Sequence, residues 1–135
     1  MRTLDITSFE KALNSLKEVI EVYNSDKTNL IIRDSMIQRF EYTYSIALKM
    51  IKRFFSQGAF VLENIEGMTF NEMIRQANKM ELLKSDLEKW DDFRQKRNFT
   101  SYTYDENVAK AVALVIEDFA VEVDFLLNSL KEKIK

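Results

Sequence analysis

Leu30-Ile-Ile-Arg33-Asp34-Ser-Met-Ile37-Gln38-Arg-Phe40-Glu41-Tyr-Thr-Tyr44-Ser45-Ile-Ala47-Leu48-Lys49-Met-Ile51-Lys52-Arg53-Phe-Phe55-Ser-Gln57 carries the longest helical pattern in the chain. Ile37, Phe40, Tyr44, Ala47, Ile51 and Phe55 recur at steps of three or four, which puts them on one side of a long helix. Beside that stripe Arg33, Asp34, Gln38, Glu41 and Ser45 form a polar seam that, on residue type alone, reads as solvated surface. Lys49, Lys52 and Arg53 read as an exposed face suited to a helix C-terminus rather than as a phosphate site. Gly58, able to take the left-handed conformation, is the expected stop. A stripe this long needs other long helices to cover it.

Upstream, Thr7-Ser-Phe-Glu10 fits a capping box, and Phe9, Leu13, Leu16, Ile20 and Tyr23 continue one apolar stripe in a helix to about Asn24. Asn24 to Asn29 is a polar connection. Downstream the pattern breaks between Ala59 and Met68, around Glu63-Asn-Ile-Glu-Gly67. Thr69-Phe-Asn-Glu72 then opens a short helix to about Met80 that buries Phe70, Met73, Ile74 and Ala77. A third box, Ser85-Asp-Leu-Glu88, opens a fourth helix whose Leu87, Trp90 and Phe93, with Arg94 beside them, face one way until Asn98 stops it. Asp105 is placed to cap the last helix, with Glu106 in its first turn and Val108, Val112, Val115, Phe119, Val123, Leu126 and Leu130 as its stripe. These elements predict an all-α fold, an up-and-down four-helix bundle with one additional short helix, in one domain over residues 1–135.

Composition agrees. Two glycines, no proline and 31% charged residues favour long amphipathic helices over strands and their turns. Twenty basic and 22 acidic residues give a formal charge of -2, which leaves no general nucleic-acid footprint. Without cysteine there is neither disulfide nor thiolate chemistry, and without histidine there is no imidazole for acid-base catalysis or a Cys/His zinc site. No pair of carboxylates has a spacing that singles it out as a metal site. No apolar signal core or membrane-length apolar run is seen, so a soluble, cytoplasmic protein with no membrane partner is expected.

One other stretch draws attention. Between Trp90 and Glu106, Arg97, Asn98, Tyr102, Tyr104 and Asp105 crowd polar and aromatic groups into a short turn held by helices, where function often resides; it also reads as a capped loop.

Arg33-Asp34-Ser-Met-Ile37-Gln38-Arg39-Phe40-Glu41-Tyr42-Thr43 and Arg97-Asn98-Phe-Thr100-Ser101-Tyr102-Thr103-Tyr104-Asp105-Glu106, in that order and separation, resemble the two motifs of the small HEPN-type nucleotidyltransferase substrate-binding proteins. These are similar to the helical domain of kanamycin nucleotidyltransferase. The chain departs from the family's pattern in having Ser45 and Leu48 where Glu and Trp are usual, and Tyr102 where the second motif has His.

The resemblance implies a homodimer, with contacts expected near helices two and four, that associates with a separately encoded minimal nucleotidyltransferase, within a toxin-antitoxin pair in some relatives. Catalysis is then the partner's, which brings nucleotide and magnesium, and this chain alone holds no cofactor. Arg33, Asp34, Gln38, Glu41, Arg97, Asn98 and Tyr102 are expected to line a cleft for a nucleotide or small-molecule substrate, with Arg97 suited to a phosphate or carboxylate. Equally open is Arg97 bridging Glu41 inside the bundle. The alternative implied is a metal-independent ribonuclease toxin acting on RNA. A tyrosine hydroxyl, ordinarily ionising near pH 10, is a poor stand-in for imidazole near 6.5. A structural helical dimer is the third possibility. Tyr104 matches the tyrosine that the partner adenylylates in toxin-antitoxin relatives, although a phenol packed under the bundle end is the expectation from residue type.

Overall fold

The computed structural model describes residues 4–57 and 65–134, and the regular structure there is helical throughout. The predicted stripes become α1 (Thr7–Ser25), α2 (Leu30–Phe55), the short α3 (Phe70–Lys79), α4 (Leu87–Asn98) and α5 (Glu106–Lys133), with 3-10 turns at Ile65–Gly67 and Phe99–Tyr102. The stop expected at Gly58, and the break as far as Asn64, lie outside the described residues.

All six residues of the α2 stripe are buried, as are Phe9, Leu13, Leu16 and Ile20 of α1. On α5 the innermost positions include Ala109 and Ile116, which leaves Val108 and Val115 only partly covered. The core's centre is aromatic. Phe119 of α5 meets Phe40 of α2 and Phe93 of α4 edge-on, at ring-centroid distances of 4.9 and 5.3 Å, with Trp90 at 6.2 Å. Such tilted contacts set the edge of one ring against the face of another and join three helices at one point.

Polar pairs around the core fix direction. Glu10 pairs with Lys131, Lys17 with Asp124 and Asn24 with Glu117, seven residues apart on each helix, so α1 and α5 run antiparallel. Arg39 donates to the Ser15 carbonyl at 2.7 Å and Thr43 to that of Ala12 at 3.3 Å, which sets α1 antiparallel to α2. Lys89 pairs with Asp118 at 2.9 Å across α4 and α5. The up-and-down bundle follows, with α3 packed on α2 and α4.

Two predicted capping boxes are corrected. Thr7 is already helical, and its amide donates to the Asp5 carboxylate at 2.9 Å; that bond holds Asp5 below its ordinary pKa, while Glu10 turns to Lys131. At α4 the cap is Asp86, accepting from the Lys89 amide at 3.1 Å, because the Ser85 amide is committed elsewhere. Thr69 and Asp105 cap α3 and α5 as expected, and Asn29 caps α2. Beyond α3, Glu81 takes φ 61° and the Leu82 amide reaches back to the Ala77 carbonyl at 2.9 Å, closing the helix end with a left-handed residue. Among the described residues no helix is long and apolar enough to cross a membrane.

Candidate functional site

The placement of α4 starts from a buried carboxylate. Glu122 of α5 is 2% exposed and accepts from the Trp90 indole Nε1 at 2.8 Å, from the Ser85 amide at 3.1 Å and from the Lys84 amide at 3.2 Å. A buried charge is tolerable when its lone pairs are filled in this way. These bonds fasten the start of α4 and the connection before it to α5. With Trp90 and Phe93 held inward, Arg94, Arg97 and Asn98 are carried on the part of α4 that faces α2 and α3.

There they rim a groove of about 420 Å³. Tyr44, Ser45 and Leu48 of α2 line one side, Met68 with Phe70 and Met73 of α3 another, and Lys49 and Lys52 complete the rim. The Arg94 guanidinium sits 4.8 Å from the centre of the Phe70 ring, over its electron-rich face. Among the described residues, Lys49, Lys52, Arg94 and Arg97 form no ion pair. Four positively charged side chains are thus gathered around an apolar wall, in a chain whose net charge is -2. Burial pushes the Tyr44 phenol up to about 12, against the pull of Arg94 and Arg97, so this hydroxyl stays neutral beside the two cations.

The predicted site residues fall into two groups. Arg97 and Asn98 belong to the groove. Arg33, 5% exposed, donates to Glu106 at 2.6 Å and to Asp34 at 3.2 and 3.3 Å, fastening the first turn of α2 to the first turn of α5. Burial works to lower its pKa, but the bonds to Glu106 and Asp34 leave it raised overall. Gln38 is exposed and Glu41 half-buried on the stretch of α2 between these groups. Among the described residues no ion pair joins Arg97 to Glu41 or Asp34.

Tyr102 is 54% exposed and Tyr104 86% exposed, with ring centroids 6.5 Å apart, so the packed position expected for Tyr104 is corrected. The turn closes by other means. The Asp105 amide donates to the Tyr102 carbonyl at 3.1 Å, and the Asp105 carboxylate takes the Asn107 amide at 2.9 Å, leaving the phenol no structural task. Among the described residues no group of three His, Cys, Asp or Glu is placed to hold a metal ion.

Sequence reasoning did not assign Arg94 to the groove and set Lys49 and Lys52 aside. The available signal was their pairing: Arg94 with Arg97 and Lys49 with Lys52 stand three apart, one pair on each of two facing helices.

Residues 4–132 match the family model described as nucleotidyltransferase substrate binding protein like. A Haemophilus influenzae protein named probable ribonuclease HepT is 34% identical over 138 residues, which cover 96% of this chain and 94% of that one. A solved Haemophilus influenzae structure, described as revealing the fold of a substrate binding domain of a nucleotidyltransferase, superposes with a TM-score of 0.84 at 32% identity, over 94% of this chain and 99% of the other.

Proposed function

We propose, because the chain belongs to the nucleotidyltransferase substrate binding protein like family, that it is the non-catalytic, substrate-binding partner of a separately encoded minimal nucleotidyltransferase. The observation that carries this reading is the groove. Four cations without ion-pair partners among the described residues stand around an apolar wall, and Arg97 and Asn98 of the second motif are among its lining. Guanidinium and ammonium groups held this way suit the phosphate or carboxylate of a nucleotide or small-molecule substrate. Nucleotide and magnesium enter with the transferase, whose chemistry this chain supports by binding and orienting.

Self-association as a homodimer belongs to the same proposal. We expect its contacts near α2 and α4, outside the lining of the groove. Tyr104, 86% exposed in a closed turn, is the modification target we assign to the transferase.

The second reading, a ribonuclease toxin, is favoured by the name of the Haemophilus relative and by the positive groove. Against it stands the lack of any imidazole: positioned acid-base catalysis typically contributes about 10²-fold to 10⁴-fold, and Tyr102 is an exposed phenol. Co-expression of the tagged chain with its cognate transferase, followed by light scattering, tests the primary reading. A complex heavier than the homodimer and containing both chains is expected; recovery of this chain alone would count against it.

A further inference from the structure

Leu114, Val121 and Phe125 stand seven and four residues apart on α5, so they share one line of that helix, and they are 82, 58 and 39% exposed. The line faces away from Val112, Phe119, Val123 and Leu126, the stripe that α5 gives to the core. Single exposed apolar residues are ordinary, but a row of three along about 16 Å of helix is an unpartnered face. Beside it a groove of about 390 Å³ runs between α1 and α5, with Ile20, Ala120 and Val121 as its apolar lining. Val121 belongs to both, so row and groove form one surface.

Its border is acidic. Glu21, Glu117 and Asp124 line the groove against a single cation, Lys17, which is paired with Asp124. On the other side of the row Asp118 keeps 63% of its side chain in solvent while it meets Lys89. The Lys17 pair, and the Asn24 amide that donates to Glu117 at 3.1 Å, hold α1 and α5 at a fixed spacing, so the groove is preformed. It shares no helix with the cationic groove, whose lining comes from α2, α3, α4 and Met68. Both can be filled at once, and dimer contacts near α2 and α4 leave this face open.

We infer that the face between α1 and α5 docks a third protein through a basic amphipathic helix. About three turns of that helix lie along α5, with apolar residues at three- and four-residue steps entering the groove and lysine or arginine on its flanks. Charge complementarity selects this occupant. A second copy using the same face would set Glu117, Asp118 and Asp124 close to their own counterparts, and anionic lipid and nucleic acid carry the same repelled sign. The transferase, on the reading above, serves the cationic groove on the other helices; only that exclusion rests on the proposed function.

The test uses the full chain and a fluorescent synthetic peptide of about 14 residues, with leucines at three- and four-residue steps and lysines between them, followed by anisotropy. A scrambled peptide of the same composition is the control, and it is expected to bind about tenfold more weakly or worse. Val121→Asp and Leu114→Asp should each weaken the ordered peptide by about tenfold or more, although each adds a negative charge that would draw a merely electrostatic ligand closer. Glu21→Lys combined with Glu117→Lys should abolish binding. Ile31→Asp, at a position 81% exposed on α2, should change it by less than about twofold. Every substituted side chain is exposed, so the fold is kept and the readout is binding. Equal binding of ordered and scrambled peptides, or of wild type and Val121→Asp, reduces the interaction to charge and overturns the inference, as does no binding of the ordered peptide. Light scattering in which Val121→Asp splits a homodimer assigns the face to a second copy, and loss of the cognate transferase on co-expression with Val121→Asp assigns it to that enzyme; either result also overturns it.

Discussion

Truncating Glu122 to alanine removes the acceptor shared by Trp90, Ser85 and Lys84, and the structure sets the scale of the loss. Trp90 is fully buried, so its indole N–H is left dry, at a cost of about 1–3 kcal/mol for an unsatisfied buried donor. The Ser85 and Lys84 amides lie nearer the surface and recover water, so each adds less. A cavity where the side chain lay adds more, while relief from burying a charge subtracts. Together these give about 3–4 kcal/mol, a large share of the about 5–15 kcal/mol that holds an ordinary domain folded. Glu122→Gln keeps one oxygen for the indole and should lose only about 1–2 kcal/mol. Trp90 is the chain's only tryptophan, so its emission during urea unfolding reads the transition directly. If Glu122→Ala stays within about 1 kcal/mol of wild type, the carboxylate does not hold α4, and the argument that it positions Arg94 and Arg97 fails.

Tyr44 supplies a pH test. Its pKa is raised in the folded chain to about 12 from an ordinary 10.0, so the stability it contributes is complete below pH 10 and is lost as pH climbs through 12. Absorbance at 295 nm should show a tyrosine ionising late, and Tyr44→Phe should remove that component; a titration unchanged by the substitution contradicts the burial argument. Glu81→Gly should raise stability by about 0.5–1 kcal/mol in urea melts, because φ 61° strains a residue bearing Cβ and not glycine; a loss of stability would mean that Glu81 makes a contact worth more than the strain. Inorganic pyrophosphate should raise the midpoint of thermal unfolding of wild type and raise it less for Arg97→Ala, whereas equal shifts place the anion outside the groove.

Much of the fold was legible because it depends on period. Ile37 to Phe55 could satisfy a three-four spacing only as a helix, and Thr69 and Asp105 announced helix starts by chemistry that acts within three residues. Thr7 and Ser85 misled for a local reason. Each has a carboxylate neighbour, Asp5 or Asp86, able to take a free amide, and which one caps depends on where the backbone turns, not on residue type. The site was legible in part. Arg97 and Asn98 stood out in their turn, and the family resemblance joined them to α2. Which residues of α2 they meet depends on how far each helix is rotated, so Asp34 went with Arg33 and Glu106 while Ser45, Lys49 and Lys52 came to the groove. Glu122 gave no sign, since a glutamate between Val121 and Val123 looks like any charge on a helix until Trp90 is seen beside it.

On the proposed reading the chemistry lies in the transferase, and this chain binds and presents. Incubating the purified chain with RNA, beside Arg97→Ala, decides between this reading and a ribonuclease. Cleavage no greater for wild type than for Arg97→Ala is the predicted result; robust cleavage by wild type that Arg97→Ala abolishes would contradict it and establish a ribonuclease working without histidine.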